Sequence, residues 1–242
     1  MPGTRAVLEA LRGPRASGIA VILIDEAGGK ATAAVASAAR ERRVHVEERP
    51  RRELDALAGD ARHQGALAIV GEYVYTTVER IVEAAHRPAL LVALDQITDP
   101  HNFGAIVRSA VVFGADGVIT LQDRACPVTS TVVRASAGAT EHARIARATN
   151  LARTLASLAD LGLSVVGLDE QGTVPLESLP AAPAGRVVVV GAEGTGLRRL
   201  VRERCDILAR VQTSGPIRSL NASVAAGIAL WEAARQRHAG AG

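Results

Sequence analysis

The residues best placed to do chemistry lie in Ser219-Leu220-Asn221-Ala222-Ser223, which follows Val211-Gln212-Thr213-Ser214-Gly215-Pro216 and opens a long Ala-rich stretch. One Ser or Asn at a helix start is enough to satisfy orphan backbone N–H groups as a cap. Three such side chains around one Leu exceed that need, and the surplus is available to position a reactant. Two earlier segments carry the same excess behind an apolar run: Leu94-Asp95-Gln96-Ile97-Thr98-Asp99-Pro100-His101-Asn102-Phe103-Gly104 and Val190-Gly191-Ala192-Glu193-Gly194-Thr195-Gly196. Polar, Gly-bearing loops behind apolar strands predict one composite site at the carboxyl edge of a parallel sheet.

Each loop also has a plainer reading. The glycines Gly191, Gly194 and Gly196 are spaced G-x-x-G-x-G, not the dinucleotide G-x-G-x-x-G, and no Lys-Ser/Thr follows as in a phosphate loop. Alone, they suit a tight structural turn as well as a ligand held at helix-terminal N–H groups. Glu193 would repel a phosphate, but it suits a cation or an Arg. Asn102 is expected to cap the helix after Pro100, with Arg108 facing back toward the same end. Taken alone, that segment reads better as a capped helix with a solvated Arg. Together the loops hold an Arg, a Glu, two Asn and several Ser, with no thiol or Lys nucleophile. Such a set suits alignment of reactants better than covalent catalysis. His63, in Arg62-His63-Gln64-Gly65, reads as a turn residue. The scattered His residues show no zinc spacing, so no metal is expected.

The elements that must carry these loops alternate between strand and helix. Strands are expected at Ile19–Ile24, Val44–Val46, Ala66–Val70, Ala89–Leu94, Gly117–Leu121, Ser164–Leu168, Val187–Val190 and Ile207–Arg210. Helices are expected over 3–12, 31–43, 50–57, 103–113, 150–161, 196–203 and 221–237. This predicts a small α/β domain over 1–72, a linker leading into a helix over 73–87, and a larger parallel α/β domain over 88–242. Pro180 to Gly185 reads as a surface loop.

Composition narrows the class. The chain has 242 residues, enough for such cores, yet only 2% are aromatic, so the interior must be built from Ala, Val, Leu and Ile. No apolar run is long enough to span a bilayer, and no signal peptide is apparent. Cys126 and Cys205 have no metal-type spacing and give no disulfide framework, which fits a reducing, cytoplasmic setting. Lys+Arg is 28 and Lys30 is the sole lysine, leaving 27 arginines and a net charge of +3. Arg suits bidentate phosphate contact, although coding bias is the better explanation of the preference. The basic balance permits nucleic-acid binding without requiring it.

The three loops resemble motifs 1, 2 and 3 of the SpoU (TrmH/RlmB-like) RNA ribose 2′-O-methyltransferases, within the trefoil-knotted SPOUT class. Motif 1 is Leu94 to Ala110, motif 2 is Val190 to Leu197, and motif 3 is Gly215 to Ala225. The likeness runs from about residue 88 to the end. The first domain, with His63-Gln64-Gly65, is similar to the RNA-binding domain of the 23S rRNA guanosine-2′-O-methyltransferase (RlmB) branch. The resemblance implies a knotted C-terminal domain, S-adenosylmethionine as methyl donor, an rRNA substrate and a homodimer with the C-terminal helix, including Trp231, at its interface. It implies cofactor contacts at Gly191, Gly194, Gly196, Val211 and Leu220. Catalytic-site roles fall on Arg108, Glu193, Asn221, Asn102 and Ser223, with Glu193 fixing Arg108 or Asn221. Departures are Val211-Gln212-Thr213 where many members have Ile-Pro-Met, Ala222 where Val is common, and Arg218, which is placed to contact RNA. The alternatives are the same reaction on tRNA, a thiostrepton-type resistance enzyme, and a catalytically silent rRNA-binding assembly factor.

Overall fold

Short runs of Val, Ile, Leu and Ala form the central strands, and Ala- and Leu-containing stretches such as Thr4–Arg12 and Leu151–Asp160, apolar on one side, form helices against them. The computed structural model describes residues 1–14, 16–59, 61–216 and 219–239. Arg218 of the third polar loop lies outside the described residues. The chain divides into two compact units, Met1–Val74 with Val128–His142, and Tyr75–Pro127 with Ala143–Gly242.

In the first unit α1 (Thr4–Arg12) leads to β1 (Ile19–Asp25), α2 (Lys30–Glu41), β2 (Val46–Arg49), α3 (Arg51–Ala58) and β3 (Ala66–Val70). The central strand β1 runs parallel to β2 and antiparallel to β3. Alternate residues of β1 serve opposite faces. Ile22 and Ile24 pack with Val7, Leu11 and Val35 of α1 and α2, while Leu23 packs with Leu54 of α3. His63 is buried and closes the turn into β3. Its Nδ1 accepts the Gly65 N–H at 3.1 Å, so Nε2 carries the proton and donates to Asp55 at 2.8 Å. That is the structural role read from the sequence.

The second unit begins with α4 (Val78–Glu83), β4 (Ala89–Asp95), α5 (Pro100–Val112) and β5 (Gly117–Leu121). The chain then contributes α6 (Ser130–Ala135) to the first unit. It continues in the second unit with β6 (Ile145–Ala148), α7 (Leu151–Asp160), β7 (Ser164–Leu168), β8 (Val174–Pro175), β9 (Gly185–Gly191), α8 (Arg199–Arg202), β10 (Ile207–Arg210) and α9 (Ala222–Ala239). The strand order is β6-β5-β4-β9-β7-β10-β8, and every adjacent pair is parallel. The core is aliphatic, with Leu91, Ile119, Leu155, Val165 and Val187 fully buried.

This is the parallel α/β class expected from the alternation. β4 and β9 pair from Ala89↔Gly185 to Asp95↔Gly191. The chain leaves β4 toward β5 on one side and leaves β9 toward β10 on the other. Loops that diverge from neighbouring carboxyl ends open a crevice, the usual ligand position in such sheets.

Some elements differ from expectation. The strand expected at 44–46 forms at Val46–Arg49, and β6, β8 and α6 are additions. β6 carries an Arg on the sheet edge and β8 is a two-residue strand containing Pro, so neither has a continuous apolar signal. The stretch expected as a linker packs tightly: Ile81 is fully buried, and a Cβ on Gly117 would meet its Cγ2 at 2.4 Å. Val128–His142, read as part of the larger domain, groups with the first unit.

Candidate active site

β4 delivers Asp95 to the crevice and buries it completely. Gln96 takes φ 59°, which turns the chain sharply off the sheet. The Asp95 carboxylate accepts the Arg198 backbone N–H at 2.8 Å and its Nε–H at 2.7 Å. The loop after β4 is thus fastened to the segment after β9. Asp99 caps α5, accepting the N–H groups of His101 at 3.1 Å and Asn102 at 3.3 Å, with Pro100 at the first helical position. A missing N–H there is harmless. The cap is therefore Asp99 and not Asn102. The Asn102 side chain is thereby freed from capping. It is only 7% exposed and donates Nδ2–H to Glu193 Oε1 at 3.1 Å.

The turn after β9 presents Glu193. A Cβ on Gly191 would lie 2.3 Å from the Gly196 carbonyl carbon, so the two strands of this turn meet at backbone distance only because residue 191 is Gly. The Gly196 N–H donates to the Ala192 carbonyl at 2.9 Å. Gly194 and Gly196 adopt φ 77° and 64°, which favour Gly.

The third loop completes the cluster through Asn221. Its Oδ1 accepts the backbone N–H groups of Ser223 at 2.9 Å and Val224 at 3.3 Å, which caps α9. Ser223 Oγ also donates to Oδ1 at 2.6 Å. The other half of the same amide, Nδ2, donates to Asn102 Oδ1 at 2.9 Å and to Glu193 Oε1. Glu193 Oε1 also takes the Ala222 N–H at 3.4 Å. Asn221 thus supplies both a capping oxygen and a bridging amide, and Ser223 a hydroxyl buttress.

A cavity of about 930 Å³ opens beside this cluster. Gly191, Glu193, Gly194, Gly196, Val211, Leu220 and Asn221 all line it. Sequence reading missed the fourth wall, Asp169-Glu170-Gln171 after β7, with Arg202. Arg202 Nη1 donates to Asp169 Oδ2, and Asp169 Oδ1 accepts the Gln171 N–H at 2.8 Å. The signal was present: an apolar strand followed by a polar, Gly-ended loop, as in the other three.

Arg108 stands apart from the cluster. At about 100° per residue, six positions along a helix rotate a side chain about 240° from Asn102. Arg108 is exposed on α5, and Glu193 bonds Asn102 and Asn221 instead. Of the two partners expected for Glu193, Asn221 is the one it holds, and no contact with Arg108 is found among the described residues. Cys205 offers no nucleophile, because burial and then Asp206 push its thiol up to about 12. Among the described residues there is no metal-type cluster of His, Cys, Asp and Glu.

The sequence model of the SpoU rRNA Methylase family matches residues 89–231, and the one described as RNA 2′-O ribose methyltransferase substrate binding matches residues 2–76. The chain belongs to the SpoU methyltransferase family. This SpoU chain is 47% identical over 238 residues to an uncharacterized tRNA/rRNA methyltransferase of Mycobacterium avium (strain 104), covering 97% of this chain and 76% of that protein. Its fold is similar to the SpoU methyltransferase AviRb from Streptomyces viridochromogenes, with TM-score 0.81 and 26% identity over 99% of this chain and 90% of that one. It is also similar to the AdoMet-bound rRNA methyltransferase from Sinorhizobium meliloti, with TM-score 0.78 and 26% identity over 97% and 86%.

S-adenosylmethionine is accordingly the cofactor of this SpoU methyltransferase. The cavity fits it: its volume lies within the roughly 300–1,000 Å³ usual for such sites, and three residues without side chains, Gly191, Gly194 and Gly196, are among those that line it.

Proposed function

We propose that this protein transfers the methyl group of S-adenosylmethionine to a ribose 2′-oxygen of large-subunit (23S) rRNA, at a guanosine. The observation that carries the reading is the Asn102–Glu193–Asn221 cluster, in which Glu193 and Asn221 line the cavity and Asn102, in the first turn of α5, bonds both. When bound, the cofactor supplies a methyl group already activated by sulfonium charge. The chain's work is then alignment and management of the hydroxyl proton. Gly191, Val211 and Leu220 hold the cofactor largely through backbone groups, and Gly194 and Gly196 shape the turn. Glu193 holds both Asn amides in place, and Ser223 fixes Asn221 from behind. Arg108, exposed on α5 outside the cluster, is proposed to reach the ribose and its neighbouring phosphate from the RNA side. A guanidinium keeps its proton too tightly to be a good base.

The first unit carries the choice of RNA, supported by the substrate-binding match over residues 2–76. An rRNA substrate places the enzyme in the cytoplasm. The C-terminal segment is proposed to thread a trefoil knot. A second copy is proposed to cover α9, where Val224 and Trp231 stand 49% and 52% exposed two turns apart on one face. Trp231→Glu is expected to turn a dimer into a monomer in sedimentation, and an unchanged dimer would remove α9 from the interface.

The decisive experiment is tritium transfer from labelled S-adenosylmethionine to total rRNA and total tRNA, followed by nucleoside analysis. Labelled 2′-O-methylguanosine in large-subunit rRNA is the expected result. Label confined to tRNA, the first alternative, refutes the substrate. Absence of label from every RNA and from ribosomal particles refutes the activity.

A further inference from the structure

Several arginines of the second unit are matched with carboxylates: Arg198 with Asp95, Arg202 with Asp169, Arg235 with Glu232 and Arg237 with Asp116. The segment Arg144 to Arg153 is different. It runs along β6, the edge strand of the sheet, into the first turn of α7. It carries Arg144, Arg147 and Arg153, all exposed, and contains no acidic residue. Among the described residues, no carboxylate pairs with any of the three.

One of them is already arranged for stacking. The Arg147 guanidinium carbon lies 3.6 Å from the centre of the Tyr75 ring. Tyr75 is carried there by Thr76, whose N–H donates to the Ile145 carbonyl at 3.0 Å and which bridges Ala146. A planar group this close to a ring centre must lie nearly flat upon it, in a cation–π contact. Its second face is then turned away from the ring. Arg144 stands just ahead of β6, about 10 Å back from Arg147 at roughly 3.3 Å per residue.

We infer that the β6 edge is a docking track for a single-stranded stretch of RNA, with one base stacked on the Arg147 guanidinium over Tyr75 and phosphates on Arg144 and Arg153. The inference rests on the reading that RNA is the substrate. Unpaired bases stack on aromatic rings and on guanidinium planes, whereas an A-form duplex keeps its bases inside. An acidic peptide would use the charge and leave the stacked plane without purpose.

The test titrates the full-length protein with fluorescein-labelled oligouridine at several salt concentrations. Arg147→Lys keeps the charge and loses the plane. Stacking is worth at least about a fivefold change in affinity per base, so this variant is expected to bind about fivefold or more weakly with an unchanged melting temperature. The double variant Arg144→Gln with Arg153→Gln is expected to lower the slope of log affinity against log salt by about 0.7 for each Arg. Wild-type affinity in Arg147→Lys overturns the stacking site. Binding of polyglutamate as tight as that of oligouridine overturns it in favour of an acidic protein partner, and no oligouridine binding by the wild type also overturns it. Methyl transfer by the wild type is scored separately: label in rRNA with unchanged Arg147→Lys affinity sinks the track alone.

Discussion

Glu193 separates two kinds of active site. In one, its carboxylate holds two amides in place; in the other, it takes the 2′-hydroxyl proton. Its Oε1 already accepts from Asn102 at 3.1 Å, from Asn221 and from the Ala222 N–H at 3.4 Å. Glu193→Gln keeps a carbonyl oxygen for those donors and removes only the charge. A bond to a charged group contributes about 1.5–3 kcal/mol against about 1 kcal/mol for a neutral pair, and partial exposure here lowers both. The Gln variant should therefore lose about 1 kcal/mol, a fall of about 2–4 °C in melting temperature for a chain of this size. Its turnover should stay within about tenfold of wild type. Glu193→Ala removes the acceptor and leaves Asn102, only 7% exposed, without it. That leaves both amides free to shift, and misplacement by about 1 Å reduces turnover on the order of 100-fold. The assay is single-turnover methyl transfer to rRNA, alongside calorimetric cofactor binding and thermal melts. If Glu193→Gln is as inactive as Glu193→Ala while folding and cofactor binding hold, the positioning argument is wrong and the carboxylate is the base.

Arg108→Ala should abolish methylation yet leave cofactor affinity within about twofold, because Arg108 does not line the cavity; calorimetry checks the second half. Arg198→Met strips side-chain donors from the fully buried Asp95 carboxylate. It should destabilise the second unit by about 2–3 kcal/mol, below the usual 3–5 for a buried pair because Arg198 is exposed; thermal melts measure the loss. The half-buried Cys205 thiol, pushed up to about 12 from 9.0, should resist alkylation at pH 8 in the folded protein and react at once when unfolded. Since its folded pKa exceeds the unfolded one, its stabilising contribution is complete below pH 9 and is lost as pH rises toward 12. Alkaline melts of Cys205→Ala against wild type should show that difference.

Much of the fold was legible because a buried parallel sheet writes itself as apolar runs. Gly117–Leu121, Ser164–Leu168 and Ile207–Arg210 stand where the sequence places them. β6 and β8 were not legible, since edge strands carry polar residues or Pro and are held by one neighbour. The three loops were legible as polar excess at strand ends. Their internal wiring was not. Whether Asn102 or Asp99 caps α5 depends on which side chain the Pro100 turn leaves facing the free N–H groups. The fourth wall, Asp169 to Gln171, carries the same polar, Gly-ended pattern behind an apolar strand, but the pattern alone does not say which strand ends share one cavity; the sheet order decides that.

The two ends of the Asn221 amide do different work, the oxygen holding α9 and the nitrogen reaching Asn102 and Glu193. Four residue types cap helices well, but Ser and Thr lack the second donor, and Asp would set a second carboxylate against Glu193. Position 221 therefore admits one amino acid. A sequence library selected at this site for folding alone should return all four types, whereas one selected for methyl transfer should collapse to Asn.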